Sequence, residues 1–546
     1  MPTTSTSNFE PPPPPALWSL QSARFHMMLM LGCVTVILGM IRGSISMAMA
    51  CITFVADTFP KTTDPDVSEA SILQQLPSNS NSLSKLSWSL NQQAFVHAGF
   101  YFGSLLVIFP SHQLIKRYRA KRILTCSLLV CGIGSLLTPL TVLSHSYWLV
   151  AFARAIMGMG NGLIIPCGFA IVAKWFPRNE RSTAMLTFAL GDHIGILCSM
   201  VFTSIFCQIK FLGGWPVSFE LYGFMALGFL VIWELHAAHK PRYSSYVTAS
   251  ELEHIRGSRL KRSAFCNISE QPPLKPLLLS PCVIAMCLCC FTYSFILSGL
   301  TAYLPMFNRM ALHMNLQQNG ISSGAPFLFQ AIAELLFHLS FIFMQQKEIS
   351  PTTTIKLFAS IATCGAASCF LSTVLLGEGE KIAISLLISL AVGAMSAYKV
   401  GYTKCATTIA PQFNQFVLSY LYSYSQLAGT VSPIIIALLV SEGIEKKILI
   451  SLMVAFMLCN AVTLLIFVHG RRELYVDIYG HTTASAIRRT TGKLHSEEEI
   501  IPGHHSAIPY PSTAIRYHEE EVNIPLKPTS TSRDLSEEEF TSDDEF

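Results

Sequence analysis

With 546 residues, 51% of them apolar and only 13% charged, the chain is too apolar for the three or four soluble domains its length would otherwise suggest, and it reads as a membrane protein. Its net charge of +4 is too small to argue for nucleic acid. Neither a glycine-rich phosphate loop nor an HExxH motif occurs, which argues against an ATP-driven pump and a zinc hydrolase; no enzyme activity, cofactor or metal is expected.

Residues 1–24 form a polar tail that includes Pro11 to Pro15. The apolar run that follows, Phe25 to Val55, is too long for a secretory signal and lacks a small-residue cleavage site, so no cleaved signal peptide is expected. Apolar segments lie near 26–55, 91–110, 123–143, 147–173, 183–207, 216–235, 278–304, 321–344, 354–377, 382–403, 414–440 and 448–468. Each can cross about 30 Å of hydrocarbon as a helix, which predicts twelve spans. Basic residues crowd alternate loops: Lys116, Arg117, Arg119, Lys121 and Arg122 in one, Lys174, Arg178 and Arg181 in another, and seven more in a linker at 237–277. The positive-inside rule then places these loops and both termini in the cytosol.

The linker divides the spans into two six-helix halves, 25–236 and 278–470. Pro177 to Gly195 and Pro411 to Gly429 have the same length and both follow a helix rich in small residues, the mark of an internal repeat and of transporters that rock around a midplane site. All cysteines but Cys266 fall in apolar segments and read as small hydrophobes, the group Cys287, Cys289 and Cys290 included. The tail 471–546 is polar, acidic at its end and expected to be disordered. Tyr475 to Ile478 and Glu497 to Ile501 fit short sorting signals that would engage cytosolic adaptors.

The stretch "RAIMGMGNGLIIPCGFAIVAKWFPRNERS", Arg154 to Ser182, carries the most chemistry. Gly158 and Gly162 share one helical face and allow a neighbouring backbone to approach closely. Arg154 lies about 10 Å inside its span, where an unpaired charge costs about 2.5–3.5 kcal/mol. Two readings stay open: a cation facing a water-filled path, where it meets a carboxylate or phosphate, or a structural arginine paired with an internal acid. Arg42 is a second interior arginine. Arg178, Glu180 and Arg181 form a charged turn that can lock one access state or remain a solvated loop.

These residues resemble the major facilitator superfamily and, within it, solute carrier family 17, the organic anion and phosphate transporters that include sialin and the vesicular glutamate transporters. The resemblance runs over about residues 24–475 and rests on Arg154, Gly158, Gly162, Pro166, Trp175, Pro177, Glu180, Arg181 and Ser182, with Arg42, Gly191, Gly195, Trp215, Phe219, Gly223 and "PPLKPLLLSP". It implies a twelve-helix major facilitator fold, an all-α membrane protein of two six-helix pseudo-repeats. It also implies a solute-anion role for Arg42, with Arg154 and Asn161 placed beside it as solute-binding residues.

The departures bear on coupling. Relatives carry an acid between the glycines of the fourth span, where this chain has Asn161; they end the tenth span with Asn-His-x-Asp-Ile-Ala-Pro, of which only Ile409, Ala410 and Pro411 remain in "CATTIAP". No arginine occurs in "CLCCFTYSFILSGLTAYLP" of the seventh span. Replacement titratable groups exist in Asp192 and His193 of the fifth span and in Glu334 and His338, one turn apart in the eighth. Such groups in a low-dielectric cavity can exchange protons near neutral pH, or serve as satisfied structural pairs. His97 reads as an interior histidine, and Lys399 and Lys404 as lysines snorkelling at the cytosolic end of the tenth span.

The expected function is secondary active transport of a small organic anion or inorganic phosphate, coupled to protons or sodium, in the plasma membrane or an endolysosomal or vesicular membrane. The rival is a transport-inactive receptor or scaffold on the same fold, suggested by the missing acids.

Overall fold

Backbone polar groups in hydrocarbon are satisfied only within helices or closed barrels. The computed structural model, which describes residues 14–467 apart from 53–87, 178, 210–213, 264–277, 378, 410–413 and 444–445, adopts the helical solution, with no strand among the described residues. The helices are α1 (Ala23–Ile52), α2 (Leu90–Ile108), α3 (Ser111–Arg117), α4 (Ala120–Leu143), α5 (Tyr147–Gly162), α6 (Ile164–Trp175), α7 (Arg181–Phe206), α8 (Pro216–His236), α9 (Ala249–Ser263), α10 (Pro281–Met310), α11 (Leu316–Gln346), α12 (Pro351–Leu375), α13 (Lys381–Ile409), α14 (Asn414–Ser441) and α15 (Lys446–Phe467). Ten spans are long and apolar enough to cross a membrane, α5 and α6 counting together. A bent pair, α2 with α3 at 60°, brings the number to eleven if it is one span, and α15, where the sequence predicts the twelfth, holds a shorter apolar stretch, Ile450–Ile466. The chain is thus an all-α, multi-pass membrane protein.

Local chemistry sets several boundaries. Pro166 lacks the N–H that the Gly162 carbonyl would accept, and the fourth span breaks at Leu163. The second and eighth spans open on the same device: Ser89 with Gln92, and Asn315 with Gln318, form reciprocal capping boxes.

Buried apolar side chains collect in two main clusters, one built from α1–α8 and one from α10–α15. Within the first, glycines bring backbones together. A Cβ added to Gly158 would fall 1.9 Å from the Phe100 carbonyl oxygen, and one added to Gly103 would fall 1.9 Å from that of Ala155, so α2 and α5 meet glycine to backbone on both sides. The glycine face expected at Gly158 and Gly162 therefore packs on α2. Two seams join the clusters, α7 against α11 and α2 against α14. Met47, Ile196, Met200 and Phe327 form a buried apolar group across the first of these.

At the end of the bundle that carries the basic loops, the linker helix α9 is pinned by a buried charge. Glu251, fully buried, accepts from Arg24 Nε at 2.8 Å, from Ser22 Oγ at 2.9 Å and from the free amides of Ala23 and Arg24 at the start of α1. It caps α1 from another helix, satisfying amides that have no partner in their own helix. Arg24 spends its remaining donors on Glu180 at 2.5 Å and on the Pro15 carbonyl. Nearby, Lys174 Nζ lies 3.3 Å from His239 Nε2 and Trp175 Nε1 donates to the Ala238 carbonyl.

The opposite end departs from expectation in two ways. Cys51 and Cys207 form a disulfide between the ends of α1 and α7 rather than acting as plain hydrophobes. The seventh span also runs on to Met310, beyond the stretch free of arginine, and Arg309 in its last turn donates to the Ala50 carbonyl of α1. By contrast, Cys287, Cys289 and Cys290 are buried among apolar neighbours as expected, and Lys404, Arg178 and the two sorting motifs lie outside the described side chains.

Replacing Gly158 with Leu should force α2 and α5 apart at a cost of about 1–3 kcal/mol, read as reduced yield of monodisperse protein and a lower melting temperature. His239 supplies a pH prediction. Burial first, then the charges of Lys174, Arg119 and Lys240, pull it from its ordinary 6.5 down to about 4. The unfolded chain binds more protons in that window, so stability should fall as pH drops from 6.5 toward about 4. A His239→Gln variant, followed by melting temperature against pH, should show a shallower decline.

Candidate functional site

Interior charges mark the site, and helix packing decides which of them meet. α1 lies so close to α7 that a Cβ on Gly39 would come within 2.6 Å of the Asp192 carbonyl oxygen. That approach brings Arg42 Nη2 to 2.5 Å from Asp192 Oδ2. The two side chains remain 17% and 30% exposed, the most open interior charges of the first six spans. Asp192 is thus the internal partner of an arginine, one of the two readings open for it.

Arg154 sits behind this pair. Its side chain is buried, its guanidinium carbon stacks 4.6 Å from the centre of the Phe100 ring, and its terminal nitrogens point at the carbonyls of Ile41 and Arg42 at 3.4 Å. Nε has no partner. The arginine held against solvent-facing space is therefore Arg42, and Arg154 supports the α1 backbone beside it. Asn161 is also buried, but lies about 10 Å further along the same helix from Arg154, too far to share one short contact with it.

The second charged group crosses the seam between α7 and α11. His193 Nε2 donates to Glu334 Oε2 at 2.9 Å, and Lys399 of α13 reaches the same carboxylate at 2.8 Å to Oε1 and 3.1 Å to Oε2. Glu334 is held by Lys399 and His193, not by His338, whose Nε2 is buried without a partner one turn further on. Lys399 is the correction: it does not snorkel outward but turns in to neutralise a buried carboxylate, because that carboxylate would otherwise stand uncompensated. One turn before Glu334, Gln330 Nε2 donates to Tyr293 Oη and its carbonyl accepts from Ser396. Gln330, Glu334 and His338 form one stripe of α11 at four-residue spacing, a polar face legible in the sequence. The Lys399–Glu334 and Tyr293–Gln330 contacts were missed because nothing local points to them. His97 is buried with its ring 6.1 Å from that of Tyr303, an interior contact between α2 and α10.

The charged turn behaves as a strut of its own end of the bundle. Glu180 is held by Arg24, with His254 of α9 at 3.9 Å, while Arg181 donates to the carbonyls of Phe176 and Ala173 at the end of α6. These contacts tie α1, α6, α7 and the linker helix together.

The chain shares this fold with solved transporters of low sequence identity. It matches the inward open xylose transporter XylE from E. coli with a TM-score of 0.58 and 15% identity, over 82% of this chain and 96% of that one. A bacterial homolog of the human lysosomal transporter Spinster gives a TM-score of 0.57 over 81% and 96%. Among curated proteins, it is 26% identical over 390 residues to the mouse sodium-dependent phosphate transport protein 1, covering 70% of this chain and 81% of that protein. It is 24% identical over 375 residues to a putative inorganic phosphate cotransporter of Drosophila melanogaster, covering 68% and 69%, and 23% identical over 361 residues to the uncharacterized transporter slc-17.3 of Caenorhabditis elegans, covering 66% and 67%. These relatives are consistent with a divergent chain resembling solute carrier family 17. The family model described as Major Facilitator Superfamily matches residues 31–433, and the chain belongs to that superfamily.

Proposed function

We propose that this secondary transporter moves a small organic anion or inorganic phosphate by alternating access, coupled to a gradient of protons or sodium. The observation that carries the reading is the Arg42–Asp192 pair: an interior guanidinium, partly exposed, that already holds an internal carboxylate. A guanidinium presents the donor geometry that carboxylate and phosphate share, so the site is chemically matched to the solute class. Relatives named as a putative inorganic phosphate cotransporter and as a sodium-dependent phosphate transport protein support the same class. Asp192 then acts as a resident competitor. The solute anion takes Arg42 when Asp192 lets go, and a proton on Asp192 is one way to release it. Loops rich in Lys and Arg face the cytosol in this reading, with both termini on that side, in the plasma membrane or an endolysosomal or vesicular membrane.

A rival reading, a receptor that binds the anion without carrying it, is favoured by Asn161 where relatives have an acid. Uptake of radiolabelled phosphate and small carboxylates into proteoliposomes decides between them: flux under an imposed ion gradient supports the transporter, whereas binding with no flux under any gradient supports the receptor. Two variants test the site itself. Asp192→Asn removes the internal competitor and should lower the apparent KM for the anion by about tenfold, while abolishing any proton coupling that runs through this carboxylate. Arg154→Gln should lose flux while the protein stays monodisperse in detergent, because the backing for Arg42 is gone; unchanged flux would leave Arg154 a packing residue alone.

A further inference from the structure

In the described helices, every carboxylate in the membrane interior is already occupied by a cation of the chain itself. The acidic residues of the described spans are Asp192, Glu220, Glu234 and Glu334. Glu220 and Glu234 lie toward the two ends of α8, the latter paired with Lys121 at 2.8 Å. Of the two interior groups, Asp192 is held by Arg42, and Glu334, buried, is bracketed by Lys399 on both oxygens with His193 on one. Tyr293 and His338 are the other titratable groups near Glu334.

A hard monovalent cation seeks oxygen ligands, carboxylates first. At Glu334 the Lys399 ammonium already supplies one positive charge at contact distance to both oxygens. A sodium ion there would have to displace it and leave an unpaired lysine in a low-dielectric wall. We infer that Lys399 is a built-in counter-cation: its ammonium takes the position at Glu334 that an external sodium ion would need, and anion transport by this chain does not depend on sodium. The inference rests on the transporter reading above and departs from the relatives named as sodium-dependent. It also gives the span carrying Lys399 a role in the absence of the titratable pattern that relatives have there.

The test uses the full chain, purified and reconstituted, with radiolabelled inorganic phosphate and small carboxylates as probes. Wild-type uptake should be the same when external sodium is replaced by choline at equal ionic strength and fixed membrane potential. Lys399→Met should make uptake sodium-stimulated by about fivefold or more, and Lys399→Met combined with Glu334→Gln should restore independence. A second readout needs no flux: sodium chloride, compared with choline chloride, should leave the melting temperature of the wild type unchanged and raise that of Lys399→Met. Sodium-dependent uptake or sodium-specific stabilisation of the wild type overturns the inference, and so does a folded Lys399→Met protein indifferent to sodium in both readouts. If no probe is taken up under any gradient while the melting pattern holds, the transporter reading fails and the built-in cation stands.

Discussion

The compensation of charge inside a low-dielectric bundle is the constraint on which this structure turns. Two adjacent residues of α7 carry most of it. Successive helical residues point about 100° apart, so Asp192 reaches back to Arg42 of α1 while His193 reaches across the seam to Glu334 of α11. One helix thus joins the charge of its own cluster to that of the other. Removing one member of a buried pair leaves its partner uncompensated, at a cost of about 3–5 kcal/mol. The cost explains why each interior carboxylate of the described spans is paired with a cation from another helix.

Such pairing needs helices held at close and fixed distances, and the glycines supply them. Gly39 at Asp192, Gly103 and Gly158 between α2 and α5, and Gly320 against Ser204 at the α7–α11 seam all place backbone or small side chains where a Cβ could not fit. In lipid, where association gains nothing from excluding water, this contact is what packs the helices. Glu251 does comparable work at the basic end, fixing the start of α1 through its free amides. The position of Arg42 along its helix is therefore anchored from the end of the span as well as from its flank.

The spans were legible because hydropathy and length act locally: each predicted segment falls on a helix or a broken pair of helices, although the ends at 304, 321 and 403 fall short of Met310, Leu316 and Ile409. The interior charges were legible too, since Arg42, Asp192, His193 and Glu334 stand out in apolar sequence. Their partners were not. Glu334 and His193 are 141 residues apart, and Glu334 and Lys399 are 65 apart. Sequence spacing says nothing about such pairs, although the presence of a buried acid required some cation. Lys399, near the end of the predicted segment 382–403, fitted the snorkelling pattern equally well, but the helix runs on to Ile409 and places the lysine beside α11. The Cys51–Cys207 bond and the linker helix were hidden for the same reason, as contacts between segments far apart in the chain.

Asn161 acquires a physical meaning in this setting. Where the resemblance leads one to expect an acid on the fourth span, the chain has an amide, and its interior acids stand on the fifth and eighth spans. An acid on the fourth span would share a helix with Arg154 but lie about two turns from it. Asp192 instead touches Arg42 directly. A carboxylate at contact distance from Arg42, the solute-binding cation proposed above, would compete with the solute for the same donors, whereas one two turns away would influence it only through a longer path. On that proposal, an acid at position 192 rather than on the fourth span would be a direct competitor instead of a remote partner. In the site proposed here, binding of the anion and release of the internal carboxylate would become a single exchange, and the charge of the cavity would stay nearly constant only where Asp192 takes up a proton as it lets go of Arg42.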